Sequence, residues 1–393
     1  MKMMRIVVLG AGAMGAFIAK ELVRRAPAAE IVIIDAEAAR AERLAAEVSV
    51  RASAHGCDAC ATDQLAALLK GSTVVVNAAQ YSINLDVMKA CLIARCHYLD
   101  LGGMFHTTRK QLVLSPEFEA AGLTAVLGMG AAPGLTNVLA RTACDELDTV
   151  EKIELSFAAV APAAAEMPVF APPYSIRTIM QEFSEQSVQF IDGAHAIQPA
   201  LAGRKQVQFP APIGPLDCVF TLHSEPATLP GTFANKGVRE VTWRLSLPAA
   251  LENAVRAFAA AGLGGEHPIK TRFGDIVPVD VLAACIEHNV AQHAHLQTET
   301  VEYGCARAEV TGTARGTAAT ICLESVLEVR GAPPDMAAII TGTPAAVAAL
   351  MLASDEAKLP GAHGPEAVIP PQAMFTRLRE SGFVTTHTRR HTC

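Results

Sequence analysis

At 393 residues, 51% hydrophobic and 18% charged, the chain has the composition of a folded protein and the length of two domains. A formal charge of −7 at pH 7, with no Lys/Arg-rich strip interleaved with aromatics, argues against nucleic acid and suits a small charged metabolite. No segment approaches the roughly 18 to 20 apolar residues that span a bilayer, so no membrane partner is expected.

The opening MKMMRIVVLG reads as a strand rather than a signal peptide. Its apolar run covers only Ile6 to Leu9 and ends in a glycine-rich turn, so a cytoplasmic protein is expected. Ten cysteines in such a chain read as reduced thiols. Cys57 and Cys60, with His55 just before them, lack the second pair that a structural zinc site normally requires, and no metal site is expected.

Short β-type runs at residues 5–9, 30–35, around 55–61, 73–78, 97–101 and 123–128 alternate with helical stretches at 13–25, 38–48, 63–70 and 85–94. Unbroken apolar runs such as Val74-Val75-Val76 suit strands covered on both faces. The repeated order predicts an α/β fold, with a doubly wound parallel sheet of the Rossmann type over residues 1–130. From about residue 150 the texture changes. Pro-rich stretches at 161–173 and 209–215 separate segments of period-two alternation at 153–157 and 241–245, and residues 300–312 and 318–329 suit a hairpin. A second, α+β domain with a mixed or antiparallel sheet is expected over 131–355. Helices are expected at 344–352 and 371–381, and a polar, basic tail at 385–393 is expected to trail on the surface.

The strongest motif is Gly10-Ala11-Gly12-Ala13-Met14-Gly15, set between the first strand and the first helix. Gly10 permits the tight turn, Gly12 lets backbone approach a pyrophosphate, and Gly15 lets helix and strand pack closely. The phosphates would then lie at the positive end of a helix. Asp35 follows Gly15 by twenty residues and closes the second strand, where a carboxylate accepts ribose hydroxyls and repels a 2′-phosphate. NAD is favoured, and nearby Arg40 keeps NADP open. Asn77, Ala78 and Ala79 end the fourth strand, where a cofactor would cross the carboxyl edge of the sheet.

Further stretches carry a family resemblance. They are Val76-Asn77-Ala78-Ala79, Tyr98-Leu99-Asp100-Leu101-Gly102-Gly103, Gly128 to Asn137 with its Pro133-Gly134, His223-Ser224-Glu225-Pro226, and Pro365-Glu366. With the glycine motif they resemble the saccharopine dehydrogenase-like family, and length and layout look most like L-lysine 6-dehydrogenase. Three departures stand out: Gly128 is followed by Met-Gly, Gly103-Met104-Phe105-His106 replaces that enzyme's Gly-Gly-His segment, and His223-Ser224-Glu225 looks more like general saccharopine dehydrogenase-like proteins. The resemblance implies a substrate-binding second domain that forms a homodimer, and a C-terminal segment, 356–393, that packs back on the Rossmann domain. It also implies oxidation of an amine to an imine by hydride transfer to nicotinamide, with L-lysine ε-deamination the first expectation. Reductive condensation of saccharopine or carboxynorspermidine type is the alternative, and NAD binding without turnover is a third.

Candidate catalytic residues are Asp100, His223 and Glu225. Asp100 lies at a strand end near the expected nicotinamide, or serves as a turn carboxylate before Gly102-Gly103. His223 and Glu225 fall on one side of an extended stretch, as a base and an ammonium anchor. His106 is a weaker candidate. Asn137, at a helix start, is a substrate-binding candidate. Arg177 and then Arg244 are candidates for a substrate carboxylate, because guanidinium binds carboxylate as a fork. Arg239 and Lys236 complete the set.

Overall fold

The structure is a computed structural model that describes residues 4–161, 170, 172, 174–293, 300–331 and 335–391. The N-terminal half runs β1 (Arg5–Leu9), α1 (Ala13–Arg25), β2 (Glu30–Asp35), α2 (Ala38–Val48), β3 (Ala52–Gly56), α3 (Thr62–Leu69), β4 (Val74–Asn77), α4 (Asn84–Ala94), β5 (His97–Asp100), α5 (Met104–Leu112), α6 (Ser115–Ala120) and β6 (Thr124–Val126). All six strands are parallel to their neighbours, through five pairings, and the sheet order is β6-β5-β4-β1-β2-β3. All four residues of β4 are buried, as an apolar strand between two helical layers must be. The order reverses between β1 and β4, and that reversal opens a crevice at the carboxyl ends of the strands.

The chain then continues through α7 (Leu135–Asp145), β7 (Thr149–Val160), α8 (Ile176–Ser184), β8 (Ser187–Ile191), β9 (Ala194–Gln198), β10 (Lys205–Gln208), β11 (Pro215–Val219), α9 (Glu225–Thr232) and β12 (Glu240–Ser246). Next come α10 (Ala249–Ala260), β13 (Ile269–Thr271), β14 (Gly274–Ile276), α11 (Pro278–Gln292), β15 (Thr300–Ala314) and β16 (Thr317–Gly331). The second sheet is mixed, in the order β10-β11-β12-β7-β15-β16, with only β7 and β12 parallel among its pairs. Arg315 and Gly316 both take positive φ, 52° and 76°, the two-residue turn whose twist matches the flanking strands. This fixes the β15–β16 register, with Ala314 opposite Thr317.

The last segment serves both halves. It comprises α12 (Met336–Ala353), β17 (Gly361–His363), α13 (Pro365–Val368), α14 (Pro371–Arg379) and β18 (Val384–His391). β17 adds a parallel seventh strand beside β6, and β18 pairs antiparallel with β16. The tail expected to trail on the surface is therefore an edge strand, and His387 on it reaches Glu146 at 2.8 Å. α12 begins eight residues earlier than the sequence suggests and carries Pro344 in its interior. It also corrects the reading that no segment approaches membrane-spanning length. Its 18 residues are long and apolar enough, but 72% of that stretch is buried within the fold. A helix apolar on every side is what a core position demands. The Pro-rich stretch 161–173 lies largely outside the described residues.

Candidate active site

The glycine loop has the geometry of a dinucleotide cradle. Gly10 has φ +97°, and a Cβ there would come within 3.0 Å of the Ala79 nitrogen. A Cβ on Gly15 would fall 1.8 Å from the Gly10 carbonyl oxygen, while one on Gly12 would meet nothing within 4 Å. Ala16 N–H donates to Gly12 O at 2.8 Å, so the amides of Ala13, Met14 and Gly15 precede it at the positive end of α1. Asp35 steadies the loop: its Oδ2 accepts Ala11 N–H at 2.7 Å and its Oδ1 accepts Glu37 N–H at 2.9 Å. Asn77 shapes the opposite wall, where Oδ1 accepts Ala79 N–H at 3.2 Å and Nδ2 donates to Asn84 at 2.8 Å. Close packing that tolerates no Cβ at two glycines, an open face at the third and a carboxylate beside the loop fit NAD(P).

Asp100 is engaged as a turn carboxylate, the other reading that the sequence allows. Its Oδ2 accepts from Tyr98 at 2.8 Å, Gln111 at 2.6 Å and Asn84 at 3.0 Å, and its Oδ1 accepts Gly102 N–H at 3.0 Å and Gly128 N–H at 2.6 Å. Those donors fill the lone pairs of a carboxylate, so Asp100 ties the ends of β5 and β6 together. Burial pushes its pKa above the usual carboxylate range despite these bonds.

His223 and Glu225 do come together. His223 Nδ1 is hydrogen-bonded to Glu225 Oε2, and its ring stacks on Trp243. Its Nε2 lies 4.0 Å from Glu182. Glu182 is buried and held by Tyr174 at 2.6 Å and Thr221 at 2.9 Å, and Trp243 Nε1–H donates to Thr221 at 2.8 Å. Thr136, in the first turn of α7, donates to Glu225 Oε1 at 3.0 Å. Burial alone would depress the imidazole pKa, but Glu225 and then Glu182 outweigh it, and the pKa of His223 is raised.

The other candidates have different posts. Asn137 is buried with both ends of its amide engaged: Oδ1 accepts Gly134 N–H at 3.0 Å, and Nδ2 donates to Glu366 at 2.8 Å. It anchors α7 to the segment after β17. Arg177 pairs with Glu266 at 3.1 Å and with Asp280, so its charge is already balanced. Arg244 lies on the opposite face of β12 from Trp243, because successive strand residues alternate. There it pairs with Glu154 at 3.3 Å and sits 4.3 Å above the Phe220 ring, away from His223. Lys236 donates to the Cys144 and Leu147 carbonyls at 2.6 and 2.8 Å, capping the end of α7. Arg239 and His106 are exposed.

Sequence reasoning missed Glu182, Tyr174, Thr221 and Trp243. Trp243 carried a signal, as the single tryptophan of the chain on an alternating strand. Tyr81 was also missed; it follows β4 and donates to Gln181 of α8 at 2.5 Å, so the two halves meet across the crevice.

Two family models cover nearly the whole chain: the saccharopine dehydrogenase NADP binding domain matches residues 6–126, and the saccharopine dehydrogenase C-terminal domain matches residues 130–383. Carboxyaminopropylagmatine dehydrogenase of Synechocystis sp. is 24% identical over 397 residues, covering 97% of this chain and 96% of that protein. Carboxynorspermidine synthase of Vibrio alginolyticus is 27% identical over 164 residues, 38% of each chain. Among solved structures, apo saccharopine dehydrogenase (L-Glu forming) from Saccharomyces cerevisiae has a TM-score of 0.71 at 16% identity, covering 98% of this chain and 100% of that one. Homospermidine synthase from Legionella pneumophila, in complex with NAD, has a TM-score of 0.68 at 12% identity, covering 98% and 91%. The chain belongs to the saccharopine dehydrogenase family and is an NAD(P)-binding oxidoreductase built on its two domains.

Proposed function

We propose that the protein is an NAD(P)-dependent dehydrogenase of a secondary amine that carries a carboxylate, the product of condensing an amine with an aldehyde or keto acid. The observation that carries this reading is the buried cluster of His223 between Glu225 and Glu182, stacked on Trp243. Two carboxylates and an aromatic face suit a cationic amine, and a histidine among them suits proton transfer to and from it. The full-length likeness to carboxyaminopropylagmatine dehydrogenase supports condensation chemistry over L-lysine ε-deamination.

A dinucleotide held at the Gly10–Gly15 loop would supply the hydride acceptor or donor. His223 takes the proton from the amine, or from the water that attacks the imine, through Nε2, because Nδ1 is held by Glu225. Glu225 and Glu182 stabilise the imidazolium that results, and Trp243 fixes the plane of the ring. NAD is the preferred cofactor on this reading. Asp35 places negative charge where a 2′-phosphate would lie, and Arg40 is paired with Glu37 at 3.0 Å. A cytoplasmic homodimer with a small amino-acid substrate completes the proposal.

Absorbance at 340 nm tests it, with NAD or NADP and a panel of L-lysine, saccharopine, carboxynorspermidine and an N-carboxyalkyl agmatine at alkaline pH. Turnover of the carboxylated secondary amines supports the proposal. Turnover of L-lysine alone replaces it with ε-deamination. Cofactor binding without turnover of any amine favours a non-catalytic NAD-binding protein.

A further inference from the structure

A cavity of about 430 Å³ lies between α5, the β8–β9 hairpin, α9 and the end of β17. None of His223, Glu225, Glu182 or the glycine loop lines it. Its size is that of a small-molecule site. Leu112, Phe190, Ala227 and Pro230 give it apolar walls, and Arg109 stands at its edge. The Arg109 side chain has no hydrogen-bond or ion-pair partner among the described residues. The buried or half-buried arginines Arg25, Arg177, Arg244 and Arg307 are by contrast engaged, with Glu21, Glu266, Glu154 and Glu324.

Two histidine rings complete the lining. His195 Nε2 is hydrogen-bonded to the Pro226 carbonyl at 2.9 Å and His363 Nε2 to the Pro360 carbonyl at 3.1 Å. A carbonyl only accepts, so Nε2 carries a proton in each ring and is spent on the backbone. Arg109, always protonated, is the fixed positive charge of the lining, set against apolar walls. A guanidinium fork matches a carboxylate, and one cation matches one negative charge.

We propose that this cavity is a binding site for a short aliphatic monocarboxylate, separate from the oxidoreductase centre. The carboxylate sits in the fork of Arg109, and the aliphatic body lies against Leu112, Phe190 and Pro230. The site does not depend on the amine chemistry proposed above, and it is measured without cofactor or amine.

The probe is 4-methylpentanoate, titrated calorimetrically into the full chain, with the neutral 4-methylpentanamide as its isostere. Two variants interrogate the site. Arg109→Gln removes the charge. Gly231→Leu fills the cavity, since a Cβ at this lining position meets nothing within 4 Å. Both positions are exposed, and unchanged NADH binding shows that each variant is folded. The expected result is binding of the acid and not the amide, weakened roughly tenfold or more by each substitution. No binding of the acid, equal binding of acid and amide, or binding indifferent to both substitutions overturns the proposal.

Discussion

The imidazole of His223 lies 4.2 Å from the ring of Trp243 and within 13° of parallel to it. This contact, with the hydrogen bond to Glu225, leaves the ring one orientation in which Nε2 alone is open to a proton donor. His223→Asn is expected to lower kcat by about 10²- to 10⁴-fold, the usual contribution of a positioned acid–base group, with little change in cofactor binding. The pH profile separates catalysis from simple support. Glu225 raises the His223 pKa, so Glu225→Gln lowers it and moves the acid limb of the rate profile to lower pH. Glu182→Gln moves it in the same direction by less. Stability follows the same sign. A histidine whose folded pKa is raised contributes stability below about pH 6.5, the unfolded value, and loses it as pH rises through the folded pKa. Denaturant midpoints measured across this range for wild type and His223→Asn check the point, the difference narrowing at high pH.

Asp100 makes the opposite prediction. Asp100→Asn puts an amide nitrogen among five donors and leaves some of them buried without an acceptor. The expected loss is about 2–4 kcal/mol of stability. The rate profile of whatever folded protein remains should keep its shape, because no proton passes through this group. A displaced acid limb in this variant would return Asp100 to the catalytic set.

Asp35→Ser should raise kcat/KM for NADP relative to NAD by roughly tenfold, by removing the charge that opposes a 2′-phosphate. The same change removes the acceptor of Ala11 N–H, so NAD binding weakens as well. Steady-state kinetics with both cofactors measures the two effects together.

Gly15→Ala tests the cradle itself. The added methyl would sit 1.8 Å from Gly10 O, against backbone that cannot swing aside. A loss of about 2 kcal/mol or more is expected, with NADH binding abolished, as read by denaturation and by nicotinamide fluorescence. Gly12→Ala meets no such obstacle in the free protein and should leave stability nearly intact while still hindering the pyrophosphate.

The residues differ in how far their sequence neighbours foretell them. Helices α1 and α2 and strands β1 and β2 lie where periodicity places them, because turn, helix start and apolar face are all written within one βαβ unit. The pairing of His223 with Glu225 was legible from their closeness in sequence, but not its geometry: Ser224 is in the αR region and Glu225 opens α9, so the two meet at a helix start rather than along an extended stretch. Glu182 was not, since only the fold of the second domain brings it to His223 from forty-one residues away. The parity of β12 was ambiguous too: the fold turns Trp243 toward His223 and Arg244 to the opposite face, where it is also buried, and no local pattern decides that. The saturation of Asp100 needs donors from residues 84, 98, 102, 111 and 128, which converge only after five elements have packed.

The position of α12 has a bearing on how the molecule comes apart. One continuous cluster of buried side chains runs from Ile6, Val8 and Leu22 through Ala345, Ala348 and Met351 to Trp243, Ala308 and Leu323. The helix is thus a shared keel, and the strand beyond it closes one sheet while the last strand closes the other. A chain cut after Ala353 would lose an edge from both halves at once, and residues 1–130 expressed alone would leave the α12-facing side of α1 bare to water. Chemical denaturation should therefore give a single transition rather than two, although the chain reads as two domains.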